Sequence, residues 1–171
     1  LMGAKIGKLP DVFAIVLQRF EFDFMTMQRV KVNSRVEFPF ELDMTPFYNV
    51  ELSKRANTSQ QESREPEDDD EENDEQENPN AYSLYGVVCH MGTAHRGHYF
   101  MYLKDINSKT WHKFSDTTVT PLTEDKLKEM YGGSTGAFQK YSNAYVLLYR
   151  KSSAPQTNIS DSDVPEWVNS L

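Results

Sequence analysis

Cysteine is almost absent from these 171 residues: Cys89 is the only one. A lone thiol excludes an internal disulfide framework and any multi-thiolate zinc site. Long hydrophobic runs are missing too. No apolar stretch approaches the roughly 18 residues that a membrane helix needs, and no signal-peptide pattern opens the chain, so no membrane partner is expected. Hydrophobic residues make up only 38%, which implies that part of the sequence does not fold. Positive charge is in deficit, with 18 Lys+Arg against 26 Asp+Glu for a net charge of −8. That balance argues against a nucleic-acid partner unless the negative charge sits in one place. The length suits one domain with a sizeable core.

The negative charge does sit in one place. Gln60 to Asn80 reads QQESREPEDDDEENDEQENPN and holds 11 acids against one base, Arg64. This run alone is −10, leaving the rest of the chain at +2, and no nucleic-acid partner is expected. It contains no aliphatic or aromatic residue, so burial cannot offset the entropy of ordering it. We read 53–80 as a solvated acidic insertion. A calcium loop is disfavoured because the run has no turn glycine.

Two folded blocks flank this insertion. In the first, Val12 to Phe20 (VFAIVLQRF) reads as a buried strand, and Phe22 to Gln28 as a connecting loop. Val30, Val32 and Ser34 alternate with Lys31 and Asn33, as in a half-exposed strand. Phe38 to Phe47 reads as an edge strand and turn, because Pro39 and Pro46 bar a central strand. In the second block, Tyr82 to His90 and His98 to Lys104 read as strands joined by the loop Met91 to Gly97. Thr110 to Phe114 is the hairpin partner of the second strand. Thr123 is placed to cap a short helix running to about Met130, ended by Gly132-Gly133. Ala144 to Arg150 reads as a last buried strand. Lys151 to Asp161 is a linker, and Val164 to Leu171 begins a further helix. The expected fold is mainly antiparallel sheet with few short helices. Phe20, Trp111, Phe114 and Tyr145 are assigned to its core.

Three of the four histidines, His90, His95 and His98, cluster beside Cys89. A zinc site fails here because Cys89 and His90, adjacent on a strand, face opposite sides, and no further ligand pair follows. No metal or other cofactor is expected. His98 is the stronger candidate for catalysis. It follows Gly97, which lets the backbone pass close to a bound chain, and it starts a strand, which fixes its ring. If Lys104 pairs with Trp111, then Phe100 faces Ser115 and His98 faces Thr117. Ser115 then lies diagonally beside His98 on the same face. A slip of one residue brings Asp116 there instead. Either side chain would hold one ring nitrogen while the other serves as a base.

The segments LPDVFAIVLQRFEF (9–22), VNSRVEFPFELDM (32–44), YSLYGVVCHMGTAHRGHYFMYLKD (82–105), WHKFSDTTVTPL (111–122) and NAYVLLYR (143–150) resemble the C-terminal part of the ubiquitin-specific protease catalytic domain. The most specific piece is a histidine box: Tyr82, Leu84, Val88, His90, Gly92, Gly97-His98-Tyr99, Trp111, Phe114, Asp116 and Val119. Within the family the chain resembles the branch that contains the herpesvirus-associated ubiquitin-specific protease. The hints are the L-x-RF run, the EFP segment and the glycine pair after Tyr131.

The resemblance implies an α+β, papain-like cysteine protease fold, with residues 1–150 part of its catalytic domain. The implied activity is cleavage of the isopeptide bond after the C-terminal glycine of ubiquitin, with ubiquitin and ubiquitinated proteins as partners. His98 would be the general base, and Ser115 or Asp116 the residue that orients it. The family's usual Asn or Asp is replaced by Ser115 here. Gly97, Tyr99 and His95 would line the path of the ubiquitin tail, between loops at Met91 to Gly97 and Phe22 to Val30. The family's nucleophilic cysteine belongs to a segment N-terminal to those matched here, so that half of the domain is an expected partner and the chain alone is expected to be inactive. Cys89, in mid-strand, reads as a buried inert thiol. A non-catalytic ubiquitin-binding or scaffold module of the same fold is the competing reading. A reducing compartment, cytoplasm or nucleus, fits the single buried thiol.

Overall fold

The computed structural model describes residues 5–49, 78–133 and 142–155. Most of the acidic insertion, the linker beyond residue 155 and the expected helix at 164–171 lie outside the described residues. Nine strands are described: β1 (Val12–Val16), β2 (Phe20–Asp23), β3 (Gln28–Lys31), β4 (Glu41–Asp43), β5 (Ala81–Gly92), β6 (Gly97–Lys104), β7 (Trp111–Ser115), β8 (Thr118–Leu122) and β9 (Ser142–Lys151). One five-residue helix, α1 (Glu124–Lys128), and 3-10 turns at Thr45–Phe47 and Glu129–Tyr131 complete the described secondary structure. The main sheet runs β1-β9-β5-β6-β7-β8, with β4 added beside β5. All the pairings between these strands are antiparallel. The expectation of a mainly antiparallel sheet with few helices is met.

The longest strand explains how one sheet buries two faces. Along β5 the core-facing residues are Tyr82, Leu84, Val87 and Cys89. Their parity changes after Leu84 because the register against β9 slips there, and again after Val88. Such bulges re-aim the side chains that follow. Past the second one, His90 is buried as well as Cys89. Cys89 belongs to the main core, whereas His90 packs against Phe20 and Tyr99. The core gathers Phe38, Trp111, Leu127, Tyr131, Leu147 and Tyr149 around β5. Two of its tyrosines direct their hydroxyls to proline carbonyls: Tyr82 donates to Pro10 O, and Tyr149 donates to Pro39 O at 2.7 Å.

Several expectations need correction. The run Val12 to Phe20 is not one buried strand. β1 is a sheet edge with Val12 and Val16 exposed, and the chain leaves the ladder before β2. The break follows from Arg19. Its guanidinium is buried among carbonyls, donating from Nε to Ala144 O at 3.1 Å and from Nη1 to Ser34 O at 2.6 Å. The expected loop at 22–28 is largely a hairpin, because β2 and β3 pair with each other off the main sheet. The Asp23 carboxylate accepts from Met25 N and Thr26 Oγ1 at 2.8 Å each and so closes its tip. Phe114 is not core: it lies on the outer face of β7 and is 38% exposed. Thr118–Leu122, assigned no element above, is the edge strand β8. Thr123 stands at the N-cap of α1 with extended backbone but makes no side-chain capping bond. The last residues of the 53–80 insertion belong to the folded body, since Asn78 donates to Asp43 Oδ1 at 2.8 Å and Ala81 N donates to Asn78 O at 3.0 Å.

Candidate active site

His98 is the second residue of β6, and Met91 is its partner across β5. Alternation along β6 puts it on the same face as the buried Phe100 and Tyr102, at the rim of the core. The imidazole stacks over Phe100 with ring centroids 6.5 Å apart and planes 20° from parallel. The Lys113 ammonium sits 4.5 Å from the centre of that phenyl ring. The histidine ring thus rests on a platform that is itself held.

The β6–β7 pairing runs from Lys104↔Trp111 to Met101↔Phe114, which is the expected register. Ser115 therefore reaches the His98 face. Its Oγ lies 2.9 Å from His98 Nε2, and Asp116 Oδ2 lies 3.8 Å from the same nitrogen. His98 does not face Thr117 as expected, because β7 ends at Ser115 and the chain reverses there to pair Ser115 with Thr118. Asp116 makes that reversal with φ of 50°, a conformation that Asp and Asn tolerate better than most residues. The turn leaves the Asp116 carboxylate 80% exposed. Both polar partners meet Nε2, so Nδ1 is left to exchange a proton with another group.

Cys89 lies opposite Phe100 across the strands and is fully buried. Burial pushes its thiol pKa well above the ordinary value, the opposite of what an attacking thiolate needs. The histidines do not act together. His90 is buried, and burial followed by the nearby Lys31 charge pulls its pKa down, while His95 sits exposed in the turn after β5. Among the described residues no three His, Cys, Asp or Glu side chains converge in a way that would hold a metal ion. Gly97 has a packing reason that the sequence did not show. A Cβ there would overlap the His90 ring, so the missing side chain makes room for His90.

Two clefts adjoin each other on the far side of β6. One, of about 340 Å³, is lined by Phe20 and Arg29 and by His90, Thr93, His95, Gly97 and Tyr99. The other, of about 320 Å³, runs between Gln28–Lys31 on the hairpin and Gly92–His95 on the β5–β6 turn. His95, Gly97 and Tyr99, the residues singled out for tail binding, thus line one cleft wall. The loops at 91–97 and 22–30 do face each other.

Comparison with known proteins adds an independent finding. A model of the ubiquitin carboxyl-terminal hydrolase family matches residues 3–149. The chain belongs to this family. Among similar proteins, ubiquitin carboxyl-terminal hydrolase 47 of Xenopus tropicalis is 33% identical over 186 residues, covering 86% of this chain and 14% of that protein. Its Homo sapiens namesake is 32% identical over 210 residues, covering 99% and 15%. Ubiquitin C-terminal hydrolase 12 of Arabidopsis thaliana is 34% identical over 190 residues, covering 98% and 15%. The chain spans about one-seventh of the length of these curated relatives. The family resemblance carried by the histidine box is thereby borne out.

Within this member of the family, two residues beside the clefts escaped the reading of the sequence. Arg19 anchors the start of the hairpin, and Lys31 joins the hairpin to the β5–β6 turn by donating to His90 O at 2.8 Å and to Gly92 O at 3.3 Å. A signal existed for Arg19 alone: a charge inside the apolar run VFAIVLQRF must find partners if that run is buried. Nothing in the alternation around Lys31 marks it out. No helix among the described residues is long and apolar enough to cross a membrane.

Proposed function

We propose that this chain forms part of a deubiquitinating thiol protease of papain-like, α+β fold, and that it supplies the general base His98 together with its orienting residues. The contact between His98 Nε2 and Ser115 Oγ carries this reading. With Nε2–H donated to Ser115, the imidazole presents Nδ1 as a base. It takes the proton of a cysteine thiol, and the thiolate attacks the carbonyl of the last glycine of ubiquitin. The imidazolium then protonates the leaving lysine amine, and water hydrolyses the thioester. Ser115 accepts the imidazolium N–H without bringing a charge, and Asp116 supplies a distant one.

Cys89 is not the nucleophile in this reading, because it is buried and its thiol is held protonated. The thiolate comes from a part of the protein other than these residues, in an N-terminal half of the catalytic domain. Residues 1–150 belong to that domain, interrupted by the acidic insertion. Gly97, Tyr99 and His95 border the ubiquitin tail, where a narrow cleft suits two glycines. Cytoplasm or nucleus is the proposed setting.

The test uses the full-length protein and a ubiquitin-fused fluorescent reporter. His98→Ala abolishes cleavage while ubiquitin binding persists. Normal turnover by the variant refutes the assignment. A wild-type protein that binds ubiquitin without cleaving it points instead to a non-catalytic ubiquitin-binding module.

A further inference from the structure

Among the described residues the β2–β3 hairpin has no strand partner in the main sheet and pairs only within itself. Backbone bonds hold its flanks, Leu17 N to Tyr145 O at 2.8 Å and Gly133 N to Asn33 O at 2.7 Å, and beyond them its position relative to the sheet depends on side chains. At its base, Val32 N donates to Arg19 O at 2.7 Å, and the Phe20 ring meets His90 and Tyr145 edge-on. These contacts act where the hairpin leaves the sheet. At the last residue of β3, Lys31 reaches across to the end of β5 and bonds the His90 and Gly92 carbonyls. Gly92 has φ of 120° and pairs with Gly97, so these carbonyls stand at the root of the β5–β6 turn. One ammonium thus ties one wall of the 320 Å³ cleft to the other.

This arrangement opposes the lysine's own preference. Burial, with the Arg19 charge second, holds the Lys31 pKa down to about 8. Drawing a long, mobile, charged side chain out of water costs free energy and rotamer entropy. Two charge-assisted bonds offset that cost only in one geometry, with the hairpin and the turn at one fixed separation.

We propose that Lys31 is a positioning residue that fixes the width of the cleft between the β2–β3 hairpin and the β5–β6 turn, and through it the affinity for the ubiquitin tail. The inference rests on the reading of this site as ubiquitin-cleaving. A cleft held at its working width binds an extended glycine tail without first being narrowed. A loosened one spends part of its time too wide, and the apparent affinity falls in proportion to the competent fraction. His98, Ser115 and Asp116 lie on the other face of β6 and keep their geometry, so the chemical step is spared.

The experiment is steady-state cleavage of a ubiquitin–fluorophore amide by the full-length protein, comparing wild type with Lys31→Met and Lys31→Arg. Lys31→Met keeps the chain length and apolar stem but loses the donors. It raises KM about ten-fold with kcat within about two-fold, and Lys31→Arg returns KM to within about three-fold of wild type. Unchanged KM in Lys31→Met, or a fall in kcat at constant KM, overturns the proposal. Hydrogen exchange on the same proteins reads the clasp without activity. Faster amide exchange in Gln28–Lys31 and Gly92–Gly97, with β7 and β9 unchanged, supports it. Unchanged exchange there, or uniform acceleration across the sheet, overturns it. Should wild type fail to cleave ubiquitin, the proposed function falls, and the exchange measurement still decides whether Lys31 holds the two walls.

Discussion

Replacing Ser115 by alanine removes the oxygen 2.9 Å from His98 Nε2 and leaves the Asp116 carboxylate, 3.8 Å away and 80% exposed, as the nearest polar partner. The lost bond matters most when the ring is charged, since a hydrogen bond from a cation contributes about 1.5–3 kcal/mol net. That corresponds to a fall in kcat of roughly ten- to a hundred-fold. The carboxylate does not compensate, because exposed ion pairs contribute about 0–1 kcal/mol. Asp116→Asn, which keeps a residue tolerant of the positive φ, therefore costs at most about five-fold. Its effect shrinks further as salt is added, whereas the Ser115→Ala deficit does not. The assay is kcat on a ubiquitin–fluorophore amide for the full-length protein, at low and high ionic strength. A larger deficit in Asp116→Asn than in Ser115→Ala would refute this ordering and make the carboxylate the orienting group.

Cys89 should resist iodoacetamide and a ubiquitin-derived electrophile in the native protein and label only after denaturation. Mass spectrometry of the peptide containing it decides the point, and rapid native labelling would restore Cys89 as a candidate nucleophile. Arg19→Met removes the donor to the Ala144 and Ser34 carbonyls and should destabilise the fold by about 3 kcal/mol. A thermal midpoint equal to that of wild type contradicts this. Lys31 gives a pH dependence: between about pH 8 and its ordinary 10.5 the unfolded chain holds a proton that the folded one has released. Stability should therefore rise with pH across that window, relative to a Lys31→Met variant. Parallel curves for the two proteins exclude the shift.

The site was more legible in the sequence than its surroundings, for a physical reason. The six residues between Lys104 and Trp111 include Asp105, Asn107 and Ser108, which form a self-contained turn in which Asp105 accepts from Asn107 N and Ser108 Oγ. A local turn sets the register, and strand alternation carries it outward, so the meeting of Ser115 with His98 followed from counting. Counting failed at Thr117 because a second turn, made by Asp116, intervened. β8 was missed because Pro121 sits in it, and proline is tolerated there only because β8 is an edge. A second reason for Gly97 was invisible: His90, which a bulge in β5 aims at it, needs the space. Bulges, edges and breaks depend on which strands become neighbours, and no window of the sequence contains that information.

Arg19 and Lys31 answer one structural problem. Wherever a strand leaves its ladder, backbone carbonyls lose their partners, and buried ones must be satisfied. The chain leaves the ladder after Lys31 and after Gly92, and the two cations bond carbonyls at just these places, Val32 and Ser34 for Arg19, His90 and Gly92 for Lys31. Cations suit the task because each carries several donors and no acceptor, so one side chain serves several carbonyls. A neutral amide in either place would bring an acceptor needing a donor of its own. A carboxylate partner would satisfy the cation and leave the carbonyls bare. The hairpin is therefore fastened by bonds that a strand ladder cannot make, at the point where a wall of the cleft has to stand clear of the sheet.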